Sequence, residues 1–325
     1  MTAAFFVLGL PSYLRGLLRS RRHRVREQWS GGETIGSARR VAVFVHFDRH
    51  GHIHDWLEHY LGELRSAGYS VIFVSNAPRL SAEAVAKVRP HCGLVLRRDN
   101  IGHDFGAYRD GIGHIPDLGQ LDALLLANDS VYGPFHPLVD ILARMSPDQA
   151  SVWGITDGVE GGFHLQSYFL LFHRAALQSG AFGRFWREYR YVQSRYWNIL
   201  KYEIGLSRAL STAGIRCRAL FSYRRAAAIL GDRDACAHLP TPGRKSAEST
   251  TALIANGVPV NPTHDLWDVL IGEMGCPFIK RDLLRVDPAR KLGPRNWRAV
   301  INSVSDYDTT MIPDFPPPPS RHADT

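Results

Sequence analysis

The sequence predicts an α/β fold in which a mostly parallel sheet is flanked by helices and followed by a helical C-terminal part. Apolar runs rich in Val, Ile, Leu and Phe recur between residues 41 and 172, and segments with apolar residues at helical spacing separate them. Gly and Pro mark many of the joins. This alternation favours parallel strands, because two parallel strands need a long crossover connection that is usually a helix.

The first βαβ unit is the clearest part of the pattern. The apolar run 41–47 predicts a strand, and the run 71–74 predicts a second one. Between them, apolar residues recur every three or four positions until Gly68, which predicts a helix over Trp56, Leu57, Tyr60, Leu61 and Leu64. Glycines interrupt the chain ahead of the first strand, so we expect the globular domain to begin near Arg40.

The later elements continue the alternation and divide the chain into parts. The predicted elements are a helix at 81–88, a strand at 93–96, a helix from Phe105, strands at 123–127, 152–155 and 168–172, and an aromatic-rich helical stretch at 181–212. The predicted parts are a basic N-terminal segment (1–40), the main α/β domain (41–225), a C-terminal part that completes its acceptor side (226–300) and a Pro-rich tail (301–325).

The net charge of +8 is concentrated at the N-terminus. Residues 1–40 hold eight Arg and two Glu, so the remainder of the chain is nearly neutral and no nucleic-acid partner is expected. The leucines and arginines of this segment suit either an amphipathic basic helix on an anionic membrane surface or a poorly ordered tail. The segment lacks the features of a signal peptide. We therefore expect a cytoplasmic protein, with the inner face of the cell membrane as the site of any peripheral attachment.

Four cysteines are scattered without the spacing of a disulfide framework or zinc site, which indicates reduced thiols in a cytosolic protein: Cys92, Cys217, Cys236 and Cys276. A loop with His50, His52 and His54 suggests metal binding, but a solvated loop is the simpler interpretation. The chain has no G-x-x-x-x-G-K-[ST], G-x-S-x-G or H-E-x-x-H motif, and no G-x-G-x-x-G after its first strand. These absences disfavour P-loop kinases, α/β hydrolases, zinc metalloproteases and classical dehydrogenases.

A polar tripeptide ends the predicted strand at 123–127. Asn128-Asp129-Ser130 precedes a turn at Gly133-Pro134, and open α/β sheets bind ligands at the carboxyl ends of their strands. The tripeptide is thus a candidate ligand site, or else a strand-ending Asx turn.

The stretch before the helix at Phe105 is a second candidate. Asn100 can hydrogen-bond to a base or ribose, Gly102 lets the backbone approach a ligand, and Asp104 can accept hydrogen bonds from ribose or sugar hydroxyls. Alternatively, Asp104 caps the helix.

Four motifs in this order resemble the rhamnan synthesis protein F family, over about residues 41–285. They are Asn100-x-Gly102-x-Asp104-x-Gly106-Ala107-Tyr108, Leu126-Ala127-Asn128-Asp129-Ser130-Val131-Tyr132-Gly133-Pro134, His164-Leu165-Gln166-Ser167-Tyr168-Phe169, and Asn261-Pro262-Thr263-His264-Asp265-Leu266-Trp267 with Pro277-Phe278-Ile279-Lys280. The resemblance implies a bacterial glycosyltransferase acting on cell-surface polysaccharide, such as rhamnose-containing or lipopolysaccharide glycans. The same residues fit a GT-A-like arrangement, with a nucleotide-binding half and an acceptor half.

A sugar-nucleotide donor carries a diphosphate, which needs hydrogen-bond donors or a divalent cation such as Mn²⁺ or Mg²⁺. Asp129 is the candidate metal ligand. The usual D-x-D pattern is replaced here by Asn128-Asp129-Ser130, with one carboxylate, which leaves metal dependence open. The predicted donor-binding residues are Asn100, Gly102, Asp104, Asn128, Asp129 and Ser130.

The acceptor hydroxyl must lose a proton when an inverting transfer forms the glycosidic bond. Asp157 and His164 are the candidate bases, with Gln166 and His264 on the acceptor side. Each also has a structural interpretation, since Asp157-Gly158 is a common turn pair, a histidine at a strand edge is often a structural hydrogen-bonding residue, and His264 suits a helix start.

We therefore expect a glycosyltransferase of hexosyltransferase type that moves a sugar, such as rhamnose or another deoxyhexose, from a nucleotide donor to a glycan or lipid-linked glycan. Two other functions remain open: a non-catalytic glycan- or nucleotide-binding subunit of the same fold, and a nucleotide-dependent phosphotransferase.

Overall fold

A computed structural model provides the structure of the protein. It describes Pro11 and residues 24–32, 34–232, 250–285 and 296–314. The chain forms two compact units, the first made of Met1–Asp129 and Pro137–Leu220 and the second of Ser130–His136 and Phe221–Thr325.

The strands of the described residues are, in chain order, β1 (Val25–Ser30), β2 (Arg40–His46), β3 (Ser70–Ser75), β4 (Leu94–Arg98), β5 (Ala123–Asn128), β6 (Val131–Tyr132), β7 (Val152–Gly154), β8 (Asp157–Gly158), β9 (His164–Leu165), β10 (Phe169–His173), β11 (Cys217–Ala219) and β12 (Ile279–Lys280).

The helices with both ends described are α1 (Asp55–Ser66), α2 (Ala82–Val88), α3 (His103–Ile112), α4 (Leu138–Ala143), α5 (Arg174–Leu177), α6 (Gly180–Glu188), α7 (Arg195–Asn198), α8 (Ile204–Thr212), α9 (Tyr223–Gly231), α10 (Pro262–Asp265), α11 (Arg281–Arg285) and α12 (Trp297–Val304). A π-helical turn, Ile199–Glu203, joins α7 to α8.

The first unit is built on an eight-stranded sheet with the order β1-β4-β3-β2-β5-β10-β7-β11. Its centre, β4-β3-β2-β5, is entirely parallel, whereas β1 and β10 are antiparallel to their neighbours. Residues 41–45 of β2, 71–74 of β3 and 124–127 of β5 are fully buried. Strands covered on both faces need apolar residues at every position, which explains the continuous apolar runs. The predicted α/β class with a largely parallel sheet is confirmed.

Helix α3 packs closely on the parallel strands. A Cβ atom on Gly111 would lie 2.4 Å from Cγ1 of Val43, so only glycine lets the helix approach β2 this closely. The fully buried side chain of Arg98 ties the end of β4 to the helix. Its Nε donates to Oδ2 of Asp110 at 2.6 Å, its Nη1 to Oδ1 of Asn76 at 2.5 Å and its Nη2 to the carbonyl of Ile101 at 2.8 Å. These bonds hold the loop that leads into α3.

The described part of the second unit is mainly helical. Its strands β6 and β12 pair antiparallel, with Tyr132 opposite Ile279. The Phe135 ring packs edge-on against Tyr307 at 5.1 Å, and the Phe135 N–H donates to the carbonyl of Pro277 at 2.9 Å. These contacts hold residues 130–136 within this unit.

Two observations bear on the predicted boundaries. Strand β1 lies ahead of Arg40, inside the segment expected to precede the globular domain, and pairs with β4. Helix α3 begins at His103 with Gly102 at its N-cap, so the interpretation of Asp104 as the cap of a helix starting at Phe105 was wrong.

The proposed N-terminal helix, Cys236 and residues 315–325 of the Pro-rich tail lie outside the described residues. The helices in the described part of the chain are too short or too polar to cross a membrane.

Candidate functional site

The carboxyl end of β5 carries two buried polar residues, Asn128 and Asp129, which are 2% and 8% exposed. Because β5 runs parallel to β2, Asn128 lies opposite Val45. The Asp129 N–H donates to the carbonyl of Val45 at 3.0 Å, and Oδ2 of Asp129 accepts from the N–H of Phe47 at 3.1 Å. The carboxylate is therefore held by the loop that follows β2.

Asp104 reaches the same strand end from the first turn of α3. The Nδ2 group of Asn128 donates to Oδ2 of Asp104 at 2.9 Å. A carboxylate in the first turn of a helix is also stabilised by the positive end of the helix dipole. The structure thus joins Asp104 and Asn128, two of the predicted donor-binding residues, by a direct hydrogen bond.

The loop before α3 is shaped by contacts within the protein. Gly102 has a φ of +83°, and a Cβ atom there would lie 2.5 Å from the hydroxyl oxygen of Tyr189. The Gln193 side chain spans the loop, since its Oε1 accepts from the N–H of Gly102 at 3.2 Å and its Nε2 donates to the carbonyl of Asn100 at 3.1 Å. This packing alone requires glycine at position 102. Donor binding by Asn100 and Gly102 stays a prediction.

The candidate bases Asp157 and His164, with Gln166 of the predicted acceptor side, lie on and beside the hairpin formed by β8 and β9. Asp157 pairs with Leu165, and Asp157, His164 and Gln166 are all buried. Gln166 Oε1 accepts from the hydroxyl of Thr156 at 2.5 Å. The hairpin therefore brings both candidate bases, Asp157 and His164, into one small element of the first unit.

The ring of His164 has a defined orientation. Its Nδ1 atom lies 2.9 Å from the carbonyl oxygen of Gly162, and because a carbonyl can only accept, we assign the ring proton to Nδ1. Nε2 then carries the lone pair and lies 4.0 Å from Oε1 of Glu203. A Cβ atom on Gly158 would lie 2.7 Å from Nε2, so glycine provides the space for the ring. This tautomer suits a proton acceptor at Nε2.

Glu203 was missed by the sequence analysis. It ends the π-helical turn, and such turns are frequent at functional sites. Its carboxylate accepts from the N–H of Ser167 at 2.8 Å and from the Ser167 hydroxyl. Four residues later, Ser207 Oγ accepts from the N–H of Leu165 at 3.0 Å. The available signal was the spacing of Glu203 and Ser207, since residues four apart on a helix lie on one face.

Tyr108 links the two groups of polar residues. Its fully buried hydroxyl donates to the carbonyl of Ser167 at 2.9 Å. Burial raises the pKa of Tyr108 well above its ordinary value, and the negative charges of Asp104 and Glu203 raise it further. The carboxylates of Asp104 and Glu203 thus both act on the phenol of Tyr108.

The remaining predicted residues, Ser130 and His264, belong to the second unit. The Ser130 hydroxyl lies 3.2 Å from the donating Nζ of Lys280. His264 Nε2 lies 2.9 Å from Oδ1 of Asp282, which orients the ring. Their roles in donor binding and on the acceptor side stay predictions.

The metal prediction rests on one carboxylate. Within the described ranges, no group of three or more His, Cys, Asp or Glu side chains is arranged to hold a metal ion. In the histidine loop, the rings of His50 and His52 pack against each other with centroids 5.6 Å apart, and those of His52 and His54 lie 6.2 Å apart. Asp129 stays the predicted ligand of a divalent cation, and the part of the chain that the structure describes supplies no complete set of protein ligands around it.

This chain is similar to a known protein family and to individual known proteins. The profile of the family described as rhamnan synthesis protein F matches residues 71–241, which is more than half of the chain. Virulence protein VirA of Vibrio anguillarum is 27% identical over 257 residues, covering 77% of this chain and 81% of VirA.

Solved structures share only a coarse likeness with the chain. A putative glucose-1-phosphate thymidylyltransferase from Bacillus anthracis matches with a TM-score of 0.38 and 6% identity, over 55% of this chain and 85% of that one. The galactosyltransferase LgtC, solved with donor and acceptor sugar analogues, matches with a TM-score of 0.36 and 12% identity, over 83% of this chain and 98% of that one. We draw no functional argument from similarity at this level.

Proposed function

Because this chain belongs to the rhamnan synthesis protein F family, we propose that it is a glycosyltransferase of bacterial polysaccharide synthesis. The observation that carries the proposal is the family match over residues 71–241. That range contains the residues that the fold gathers in the first unit, namely Asp104, Asn128, Asp129, His164 and Glu203. The sugar is proposed to be rhamnose or another deoxyhexose, and the acceptor a growing glycan or a lipid-linked glycan of the cell envelope.

The donor side of the proposal uses the carboxyl end of β5. Asp104 and Asp129 present carboxylate oxygens there, and carboxylates accept hydrogen bonds from ribose or sugar hydroxyls. Both are anchored, Asp104 through Asn128 and Asp129 through the backbone of Phe47. Anchored groups lose little side-chain entropy when a ligand binds, so they can hold a donor hydroxyl at little entropic cost.

The acceptor side of the proposal uses His164. In an inverting transfer, Nε2 of His164 takes the proton of the acceptor hydroxyl. The oxygen of that hydroxyl bonds to the anomeric carbon of the donor sugar, and the bond between the anomeric carbon and the diphosphate breaks. The resulting imidazolium lies beside Glu203, whose negative charge stabilises it. Asp157, on the paired strand of the same hairpin, is the alternative base.

We retain Asp129 as the proposed ligand of Mg²⁺ or Mn²⁺. Such an ion supplies positive charge to the leaving diphosphate and takes six or more oxygen ligands. Among the described residues, no group of three or more His, Cys, Asp or Glu side chains could hold such an ion.

The non-catalytic alternative has one specific observation in its favour. The strand end holds Asn128-Asp129-Ser130 in place of two carboxylates, and the Asn128 amide is bonded to Asp104. A chain that retains the fold and binds a nucleotide or glycan without turnover would tolerate this change.

The test is turnover of a panel of nucleotide sugars that includes deoxyhexose donors, with oligosaccharide acceptors and with or without Mg²⁺ or Mn²⁺. Mass spectrometry should detect an acceptor enlarged by one sugar, and His164→Ala should abolish that product. Nucleotide binding without any sugar product would favour the non-catalytic subunit. An acceptor enlarged by a phosphate would favour the phosphotransferase.

The place of action is proposed to be the cytoplasmic face of the cell membrane, where nucleotide sugars are available. The arginines of residues 1–26 would supply the attraction to anionic lipid.

A further inference from the structure

A cavity of about 600 Å³ lies beside α3, α6 and the beginning of β1. It is separate from the candidate transfer site. Arg109, which lines the cavity, follows Asp104 by five residues, so it lies about 7.5 Å further along the helix and roughly 140° around its axis. The cavity and the transfer site therefore use different faces of α3.

The charge of the cavity walls is positive. Three guanidinium groups line it, from Arg24, Arg109 and Arg187. Those of Arg24 and Arg109 lie 5.4 Å and 5.2 Å from the centre of the Tyr191 ring, which holds both near the same wall. Arginines gathered around one cavity raise the local concentration of anions.

The negative charge among the lining residues already has partners within the protein. Asp110 is the only acidic residue among the described residues that line the cavity. Its Oδ2 accepts from Nε of Arg98 at 2.6 Å, and its Oδ1 accepts from the hydroxyl of Tyr191. The fully buried Arg98 balances the Asp110 charge, so the excess positive charge of the lining arginines remains.

Arg187 is the arginine most open to a ligand. It is exposed in the last turn of α6, and its Nη1 atom would lie 3.0 Å from a Cβ atom on Gly183, so the guanidinium rests over the glycine backbone. Among the described residues its guanidinium makes no hydrogen bond or ion pair. Its donors are therefore open to an external anion, and a planar guanidinium can bond two phosphate oxygens at once.

The rest of the lining is apolar. Phe182 and Trp186 contribute aromatic rings from α6, and Ile112 and Leu118 contribute aliphatic side chains. A small inorganic anion would leave this apolar surface in contact with water. A ligand with both a phosphoryl group and an apolar portion would cover it.

We propose that this cavity binds a phosphate ester with an apolar body. The arginines hold the phosphoryl oxygens and the aromatic rings cover the body. Two sources share this chemistry, a membrane lipid with a phosphate headgroup and a soluble phosphate ester.

The experiment is isothermal titration of the full-length protein with three probes, namely dihexanoyl phosphatidic acid below its micelle concentration, phenyl phosphate and dihexanoyl phosphatidylcholine. The two phosphate monoesters should bind and the zwitterionic lipid should bind at least tenfold more weakly. Tighter binding of phosphatidic acid would assign the site to lipid, and tighter binding of phenyl phosphate would assign it to a soluble ester.

Matched variants on α6 decide whether binding occurs in this cavity. Arg187→Gln should weaken phosphate-ester binding about tenfold, as expected for loss of a hydrogen bond to a charged group. Arg184→Gln removes the same charge from an exposed position of the same helix outside the cavity lining and should change binding less than twofold. The proposal is overturned if neither ester binds, if the zwitterionic lipid binds as tightly as they do, or if the two variants behave alike.

Discussion

Nε2 of His164 lies 4.0 Å from Oε1 of Glu203, and the carboxylate of the same glutamate accepts a hydrogen bond from the backbone of Ser167. One side chain thus holds the turn at Ser167, between the hairpin and β10, and faces the imidazole. A carboxylate favours the charged form of a neighbouring imidazole. An imidazole that accepts a proton during transfer takes on that charged form.

The first prediction concerns this pair. His164→Ala should lower transfer by a factor on the order of 10² or more, since it removes the proposed base. Glu203→Gln should lower kcat by about tenfold, because it keeps the size and the hydrogen-bond acceptor but removes the charge. Donor affinity, measured without acceptor, should stay within about twofold in both. Glu188→Gln, at an exposed position, is the control. Equal turnover in parent and His164→Ala would move the base to Asp157 or elsewhere.

The second prediction concerns Asp129. Asp129→Asn keeps an oxygen that can accept from the N–H of Phe47, so the free energy of unfolding should change by less than about 1 kcal/mol. Nucleotide-sugar affinity should fall about tenfold, because a charged hydrogen-bond acceptor is lost. Asp122→Asn, next to the opposite end of β5, should leave affinity unchanged. Unaltered donor binding in a folded Asp129→Asn variant would exclude this residue from the site.

The third prediction concerns the buried ion pair between Arg98 and Asp110. Asp110→Asn leaves a fully buried guanidinium without its counter-charge, which should lower the free energy of unfolding by about 3 kcal/mol or more. Asp99→Asn breaks an exposed pair with Arg26 and should cost less than about 1 kcal/mol. Urea titrations followed by circular dichroism compare the two. Similar midpoints would show that the buried pair contributes no more than the exposed one.

The fourth prediction concerns the pH dependence of thiol labelling. Burial raises the pKa of Cys276 to about 12, whereas an unfolded thiol has a pKa near 8.5. The folded state therefore holds the proton more tightly, so this contribution to stability is complete below about pH 8.5 and declines as the pH rises toward 12. At pH 8.5, iodoacetamide should label Cys276 in urea and leave it unmodified in the native protein. Half-buried Cys217 should react faster in the native state. Equal native labelling of both would contradict the assigned burial.

The fifth prediction concerns the basic N-terminal segment. Strand β1 begins at Val25, so deletion of residues 1–23 keeps the strand and removes four of the eight arginines of the basic segment, namely Arg15, Arg19, Arg21 and Arg22. The deletion should release the protein from anionic vesicles while transfer to a soluble acceptor continues. Salt should weaken vesicle binding by the full-length chain, since charges are screened over about 10 Å at 0.1 M ionic strength. Equal vesicle binding by both forms would assign the attachment to another part of the chain.

The centre of the sheet was predictable because its strands are covered on both faces. The runs in β2, β3 and β5 contain almost no polar residue, and their observed bounds lie within one or two residues of the prediction. Strand β1 was not predictable, because its sequence, VREQWS, has exposed charged residues on an edge strand with one neighbour. Its position in the sheet depends on pairing with β4, and the pattern of neighbouring residues in the sequence does not indicate that pairing.

The candidate site was predictable where polar residues lie at the carboxyl end of a parallel strand, because open α/β sheets bind ligands there. Asn128 and Asp104 follow or begin elements whose ends share one edge of the sheet, and they are hydrogen-bonded. Glu203 was not predictable by that logic, because its partner Ser167 lies 36 residues away and meets it only through the packing of a helix on a hairpin. Ser130 was grouped with Asp129 by sequence, yet the chain passes into the second unit at that residue.

The path of the chain between its two units limits how the protein can be divided. Residues 130–136 leave the first unit, join the second and return at Pro137. A gene fragment that ends at Leu220 would keep β6 but lack β12, so the buried side chains of Val131 and Tyr132 would lose their partner strand. A fragment that starts at Phe221 would lack β6 itself. Neither half is a portable module, because exchanging the second unit by recombination would need three junctions, at 129/130, 136/137 and 220/221.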